Sequence, residues 1–573
     1  MPDPFRHIAI LALLLLVFQA HAQNLENIGK TKPFSISGGV SSRLVFYNAD
    51  GIPERRDPFG YVLGGNVNIG IYELYLPFSF TYSNQGTSYG QPFNQFGVSP
   101  TYKWATLHLG YRNVTHSSFT LAGHQMLGVG FDLNPGKLRL GFMYGRLRRA
   151  VQYIPPPDSL SLDTLLQIQP IPVADDPVYK RSGWSAKVGY GDNNNFIDVI
   201  LFKAADDPSS ISDDSVKQAV RPAENVVIGI NARKMFFNKL SVYFEGAVSA
   251  YTRDREAVEE GSGSDSVSLS RLFKPFIPIN STTYYYRAVK SGLNYSHAKF
   301  NVQAEYQRID ADYQSMGAYF FNNDIESFSV TPVVYFFQSK VIATMGFVHQ
   351  RDNLSGKKYA TTRRTIPRIN LSINPNYRYG FDIGYQDMKT NQTSGMVELT
   401  DSTRMHMSNP GITLGARYNI IDSLRTHTFM IMLNRFELRD RNLTTQPFSQ
   451  YTASIVNFNY SFYRVKSALG LNASFTSNKL DSNNGINESF GVALGSTKGF
   501  ADNKYMLHVS WSANFADLGD SHSANAGLSF NPGGGFSATV NLIYLTVKYP
   551  GSEFNEFTGF IEGRYNFGKK AKP

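Results

Sequence analysis

The segment Leu127-Gly128-Val129-Gly130-Phe131-Asp132-Leu133-Asn134-Pro135-Gly136-Lys137-Leu138-Arg139-Leu140-Gly141-Phe142-Met143-Tyr144 decides the fold. Leu127, Val129, Phe131 and Leu133 alternate with Gly or Asp; the turn Asn134 to Lys137 reverses the chain; and Leu138, Leu140, Phe142 and Tyr144 resume the alternation. Successive side chains of a strand point to opposite faces, so each half of this hairpin has one apolar face and one polar or Gly-rich face. The pattern recurs in segments of about ten residues, the span of a membrane-crossing strand. It is visible from Phe34 to Phe46 and Tyr61 to Ile71, through Leu240 to Ala250, Phe300 to Tyr306, Leu469 to Phe475 and Tyr505 to Phe515, to Phe536 to Tyr544 and Phe557 to Phe567.

Composition narrows the class. The 573 residues contain no cysteine, which excludes a disulfide scaffold and any thiolate metal site. The net charge of +10 is modest, and acidic pairs such as Asp206-Asp207 and Glu259-Glu260 interrupt the basic ones, so no nucleic-acid surface is indicated. No later stretch approaches the roughly 18 apolar residues of a membrane helix. A membrane chain without such helices must close its strands into a barrel, because lipid satisfies no backbone polar group.

Two further features separate a barrel from a soluble β-sandwich. Short turns, such as Gly191 to Asn195, Ser296 to Lys299, Asn374 to Asn376 and Asn531 to Gly535, alternate with long polar loops, as in barrels with periplasmic turns and extracellular loops. Aromatic residues end the apolar faces on both sides: Phe46, Tyr144, Tyr306, Phe515 and Tyr544 at one interface, Trp104, Tyr190 and Tyr418 at the other. The expectation is an all-β, single large transmembrane antiparallel up-and-down β-barrel. It has about 26 strands, or 24 if the segments near Phe196, Tyr285 and Arg364 are not strands.

Residues 1–22 read as a signal peptide: Arg6 and His7 precede the apolar run Ile8 to Phe18, and Ala20-His21-Ala22 offers small residues at a cleavage site. Residues 23–33 form a short periplasmic segment, 34–567 the barrel and 568–573 a basic tail, with no room for a separate plug domain. The location expected is the bacterial outer membrane, with its lipid and the barrel-assembly machinery as partners, possible contacts to other envelope proteins, and no nucleic acid.

Four loops are long: Arg148 to Arg181, rich in proline; Ala204 to Glu224, acidic; Arg253 to Thr283, which turns apolar at Leu272 to Ile279; and Ile309 to Glu326, which contains Tyr319-Phe320-Phe321. A barrel of this size would leave an unregulated hole unless loops fold inward, the wall flattens or another protein fills it. Phe273, Phe276, Ile277, Tyr319, Phe320 and Phe321 are the expected anchors of an inward gate or of a partner contact.

The face opposite the apolar one supplies the lumen lining. Arg43, Arg139, Arg233, Gln303, Glu305, Arg378 and Asp382 represent it, with a mild basic excess suited to polar or anionic solutes. No catalytic set is evident: His116 stands beside Ser117 and Ser118 without a fixed acidic partner, no H-E-x-x-H occurs, and the Asp clusters lack calcium-loop spacing. No enzyme, cofactor or metal is expected.

The Gln23 start of the mature chain, the Asn/Gly-rich short turns and the ending Arg564-Tyr565-Asn566-Phe567-Gly568-Lys569-Lys570 resemble outer-membrane barrels of the Bacteroidota type. Tyr565 to Phe567 resembles the aromatic-ended last strand that assembly machinery recognises in such proteins. The resemblance implies fold and location more than activity. Two functions fit: a porin-like channel for small polar or anionic solutes, its lumen restricted by long loops, or a non-enzymatic structural or assembly barrel of a secretion or surface-attachment complex.

Overall fold

The computed structural model describes residues 34–84, 95–152, 177–213, 217, 220–258, 267–318 and 321–568. The expected signal peptide, the 23–33 segment and residues 569–573 of the tail lie outside these residues, as do 153–176 of the proline-rich loop and Tyr319 and Phe320.

The chain is one closed antiparallel sheet. Its first strand, Phe34–Asp50, pairs with the second, Phe59–Ile71, on one side and with the last, Ser552–Phe567, on the other, in the registers Leu44↔Tyr61 and Leu44↔Ile561. The short segments Gln95–Val98 and Thr101–Tyr102 pair with the same two neighbours and form one interrupted strand. The wall therefore has 26 strands, each neighbouring the next in sequence. The segments at Phe196, Tyr285 and Arg364 all belong to strands: Phe196–Asp206, Thr283–His297 and Ala360–Ile373.

Register fixes which face meets what. Leu138, Leu140, Phe142 and Tyr144 pair with Tyr190, Val188, Ala186 and Trp184, and Val188 and Tyr190 pair onward with Val199 and Ile197, so the apolar face continues around the exterior. Val188, Ile197, Val199, Leu494, Val509 and Leu542 are all exposed on it. A belt of exposed aliphatic and aromatic side chains around a closed wall has no soluble counterpart, since it far exceeds the apolar patches of soluble monomers. The interface aromatics Phe46, Trp104, Tyr144, Tyr190, Tyr306, Tyr418 and Tyr544 are exposed as well, and Phe515 is half-buried by stacking on Phe490 at 4.9 Å.

Loop lengths follow the expected alternation around most of the wall and break it near the end of the chain. Residues 483–484, 517–519 and 550–551 are tight turns at the end that elsewhere carries long loops. At the opposite end, turns as short as 237–239 place Phe237 and Asn238 at φ 51° and 53°, the left-handed conformation that two-residue hairpin cores demand.

The exterior makes a direct stability prediction. Val129→Arg or Val509→Arg puts a charge among lipid-facing side chains and should destabilise the folded barrel by about 2 to 4 kcal/mol, whereas Asn301→Arg or Ser510→Arg, on the inward face, should cost much less. Gly130, though inward, is unsuitable as a control: a Cβ there would stand 2.4 Å from the Phe142 carbonyl oxygen and 2.6 Å from Met143 Sδ. Urea unfolding in lipid vesicles measures the difference. Equal tolerance on both faces would contradict the assignment of the exterior to lipid.

Candidate functional site: inward loops in the barrel lumen

The lumen face is polar around most of the ring and apolar over one sector. Met126, Met143, Leu147, Phe202, Ala204, Val227, Ala247, Ala288 and Ile309 point inward by register and are buried. What covers them is a pair of connections that fold into the barrel. The first, residues 114–124, joins Ala105–Asn113 to Gln125–Leu133; the second, described over residues 310–318 and 321–324, joins Phe300–Ile309 to Ile325–Phe336. Phe119, Leu121, Tyr313 and Met316 from these connections complete one apolar cluster with the wall. The Phe119 ring packs edge-on against Tyr313 and Phe321, with 6.1 Å between centroids in each case.

Hydrogen bonds join the loops to each other and to the wall. Leu121–Ala122 and Gly317–Ala318 form a short parallel bridge, the Tyr313 hydroxyl donates to the Phe119 carbonyl at 2.7 Å, and Ser315 Oγ donates to the Thr120 carbonyl at 2.6 Å. Glu245, on the wall, accepts from both the backbone N–H and the hydroxyl of Ser118. Asn225 accepts from the Met316 N–H at 3.0 Å and donates to Ser249, whose hydroxyl in turn donates to the Gln314 carbonyl. Removing side chains the size of Phe119 and Leu121 from water stabilises docking by roughly 1.5 to 3 kcal/mol each, so these loops are held obstructions and not freely swinging lids.

Towards the short-turn end, the first loop meets a charged cluster. Arg139 grips Asp198 with two bonds of 2.8 and 3.0 Å and lies over the Phe196 ring; Lys187 and His108 Nε2 both reach Asp132, at 3.3 and 3.0 Å. His116 is buried against this cluster, with Nδ1 2.7 Å from Ser185 Oγ and no partner at Nε2. Burial lowers its pKa to about 4; Lys187 pushes the same way, while Asp132 and Asp198 oppose. Ser185, His116 and the nearby carboxylates do not make a nucleophilic triad: the imidazole nitrogen that a carboxylate would orient has no partner. Among the described residues, no cluster of His, Asp and Glu is arranged to hold a metal.

The expected lumen residues are partly brought together. Arg139 belongs to the cluster under the first loop. Glu305 accepts from Tyr243 at 2.5 Å and pairs with Lys290 at 3.3 Å, also on the inner wall. Arg43 faces inward over the Phe560 ring at 4.5 Å, and Arg233, Gln303 and Asp382 are exposed on the inner face. Arg378 does not line a strand: it sits in the turn 374–378, stacked on Tyr377.

The expected apolar gate divides. Phe321 does fold inward onto Phe119 and Tyr313. Phe273, Phe276 and Ile277 do not enter the lumen. The helix Val267–Phe273 and the residues after it pack on the outside of the wall, burying Phe273 and Ile277 against Val226 and Ala250, with Leu201, Ile228, Val248 and Tyr285 around them. Register explains the difference, because all six of these wall residues lie on the outward face. Lys203, also outward, fixes the segment by donating to the Phe276 carbonyl at 2.6 Å and pairs with Glu224 at 3.0 Å.

The inward fold of residues 114–124 is absent from the sequence reading, which counts this connection among neither the long loops nor the gate. A signal for it exists in the sequence. Ile200-Leu201-Phe202 and Val226-Val227-Ile228 are apolar on both faces, where a strand bordering a hydrated lumen alternates; such strands need cover on the inside as well as the outside.

Closure, exterior belt and inward loops together define a membrane-spanning β-barrel whose lumen is narrowed by its own connections. No protein-family model matches the sequence, and no curated protein does. Solved structures similar to it are large barrels. The translocation pore of the P pilus usher PapC aligns over 93% of this chain and 99% of its own, at 10% identity and a TM-score of 0.38. A mutant of the ferric enterobactin receptor PfeA from Pseudomonas aeruginosa aligns over 93% and 80%, at 10% identity and 0.41. The outer membrane channel DcaP of Acinetobacter baumannii aligns over 58% and 99%, at 10% and 0.29. With scores below 0.5, the reading of the barrel rests on its own strand pairing and exterior.

The buried imidazole sets a pH dependence. Released into water, His116 regains an ordinary value of 6.5; docked, it stays neutral down to about 4. Between these values the released loop binds a proton that the docked loop refuses, so docking is strongest above pH 6.5 and weakens as pH falls towards 4, by roughly 3 kcal/mol at full effect. Single-channel conductance should therefore rise on acidification from pH 7 to 4.5, and less so in His116→Gln. Conductance independent of pH in both proteins would contradict this.

Proposed function

We propose that the chain is a bacterial outer-membrane channel for small polar solutes, exported by residues 1–22 and passing solute between its inward loops and the uncovered part of the wall. The observation that carries this reading is the lining of that uncovered part. From Asn457 to Thr539 the inward face of the strands includes Asn457, Asn459, Asn472, Ser474, Thr476, Thr497, Ser510, Ser512, Ser523, Asn525 and Ser529, with Leu480 and Met506 among them and no Asp, Glu, Lys or Arg. Hydroxyl and amide groups at this density keep a lumen wet and offer passing solutes exchangeable hydrogen bonds without a strong field.

Charge borders this neutral arc and favours anions. Arg364, Arg368 and Arg417 face inward on neighbouring strands against Asp382, and Arg43 and Arg564 against Glu562. Membrane lipid and the barrel-assembly machinery are the partners this reading entails, and no catalytic role is part of it. The Bacteroidota character rests on the Gln23 start, the turn style and Arg564 to Lys570 alone.

Planar-bilayer recording tests the proposal. The purified protein should conduct, with reversal potentials in a KCl gradient showing a modest anion preference that Arg364→Gln with Arg368→Gln reduces. Absence of conductance, or cation preference, would overturn it.

A further inference from the structure

We infer that the outer face of the barrel carries a binding site for the phosphorylated headgroup of a membrane lipid, centred on Arg351 and Arg363. The inference rests on the membrane reading of the exterior and not on the channel reading of the lumen.

The site is a row of outward basic side chains followed from strand to strand by register. Arg308 faces Glu326, Glu326 faces Arg351, and Arg351 faces Arg363; on the following strands Lys389 faces Ser408 and Ser408 faces Arg439. All share the parity of the lipid-facing side chains below them, such as Phe347, Ile369, Ile383 and Leu433. One outward step nearer the membrane, Tyr306 pairs with Phe328, both exposed. Aromatic rings at that level mark the boundary between hydrocarbon and headgroups, so a side chain two residues further on, about 6 Å along the strand, stands at the level of lipid phosphates.

Within the row, carboxylates are too few. Glu326 is shared between Arg308, at 3.4 Å, which also reaches Asp310 at 3.6 Å, and Arg351, at 2.5 Å; Lys389 pairs with Asp387 at 3.7 Å, and Glu437 is shared between Arg435 and Arg439. Arg363 is exposed and has no carboxylate within ion-pair distance among the described residues. Like charges directly opposite each other across two strands destabilise a sheet. Arg351 and Arg363 are such a pair, both outward, at the one depth where a membrane supplies phosphate. A phosphate monoester between two guanidinium groups relieves the repulsion and accepts from both forks.

The test uses the full-length protein in neutral detergent with three probes: diphosphorylated lipid A, the same lipid stripped of its phosphates, and inorganic phosphate. Diphosphorylated lipid A should bind and raise the melting temperature, and the other two should not. Arg363→Glu separates the site from a general effect of charge. It places a carboxylate opposite Arg351, so it should raise the melting temperature in lipid-free detergent while weakening lipid A binding by roughly tenfold or more. Conductance should stay unchanged, which keeps this result independent of the channel reading. Undiminished lipid A binding by Arg363→Glu, or its destabilisation in lipid-free detergent, would overturn the inference. Equal stabilisation of the wild type by inorganic phosphate would replace the lipid with a free anion.

Discussion

The pairing of the first strand with the last is the constraint on which everything else depends. Within hydrocarbon an unpaired strand edge leaves several kcal/mol of backbone polarity unsatisfied per group, so the sheet has to close. Phe34–Asp50 meets Ser552–Phe567 over an unbroken register, and this ring of 26 strands creates the lumen as a geometric consequence. A lumen of that girth has to be narrowed from within or left as a hole. This chain narrows it with two connections of its own, placed against a buried apolar sector of the inner wall.

That sector ties the obstruction to the wall by complementarity as much as by hydrogen bonds. Gly141 illustrates the fit: a Cβ there would lie 2.9 Å from His116 Nε2, from Asp132 Oδ1 and from Lys187 Cε, so only glycine leaves space for the loop beside the charged cluster. Gly229 likewise yields to Thr120, and Gly317 to the Phe202 ring. Wall and loops therefore form one packed unit, while the arc from Leu469 to Thr539, where the turns at both ends are tight, has no loop long enough to cover it.

Fold was legible in the sequence because membrane strands repeat one rule, apolar outward and polar inward, and the hairpin from Leu127 to Tyr144 states it twice. Strand number followed, since each apolar face between turns is a strand. Loop placement was much less legible. The run Leu272 to Ile279 and the run around Phe321 are equally apolar, yet one packs outside and the other inside. Composition reveals that a segment needs cover, but which face provides it is set by the parity of distant strands. Val226 and Ala250 are outward, and their neighbours Val227 and Ser249, a single residue away, are inward. The first inward loop was missed because Val114 to His124 is short and mixed, and its evidence lies in the wall strands that it covers.

Residues 114–124 and 310–318 meet inside the barrel, and on that meeting the obstruction rests. Ala122 and Ala318 are register partners in the short parallel bridge, well within the separation that a disulfide spans. Cysteines placed at both positions, in a chain with no other cysteine, should cross-link nearly completely on mild oxidation in intact membranes, seen as a mobility shift that reductant reverses. Two free thiols that each react with a membrane-impermeant reagent and never with each other would contradict it.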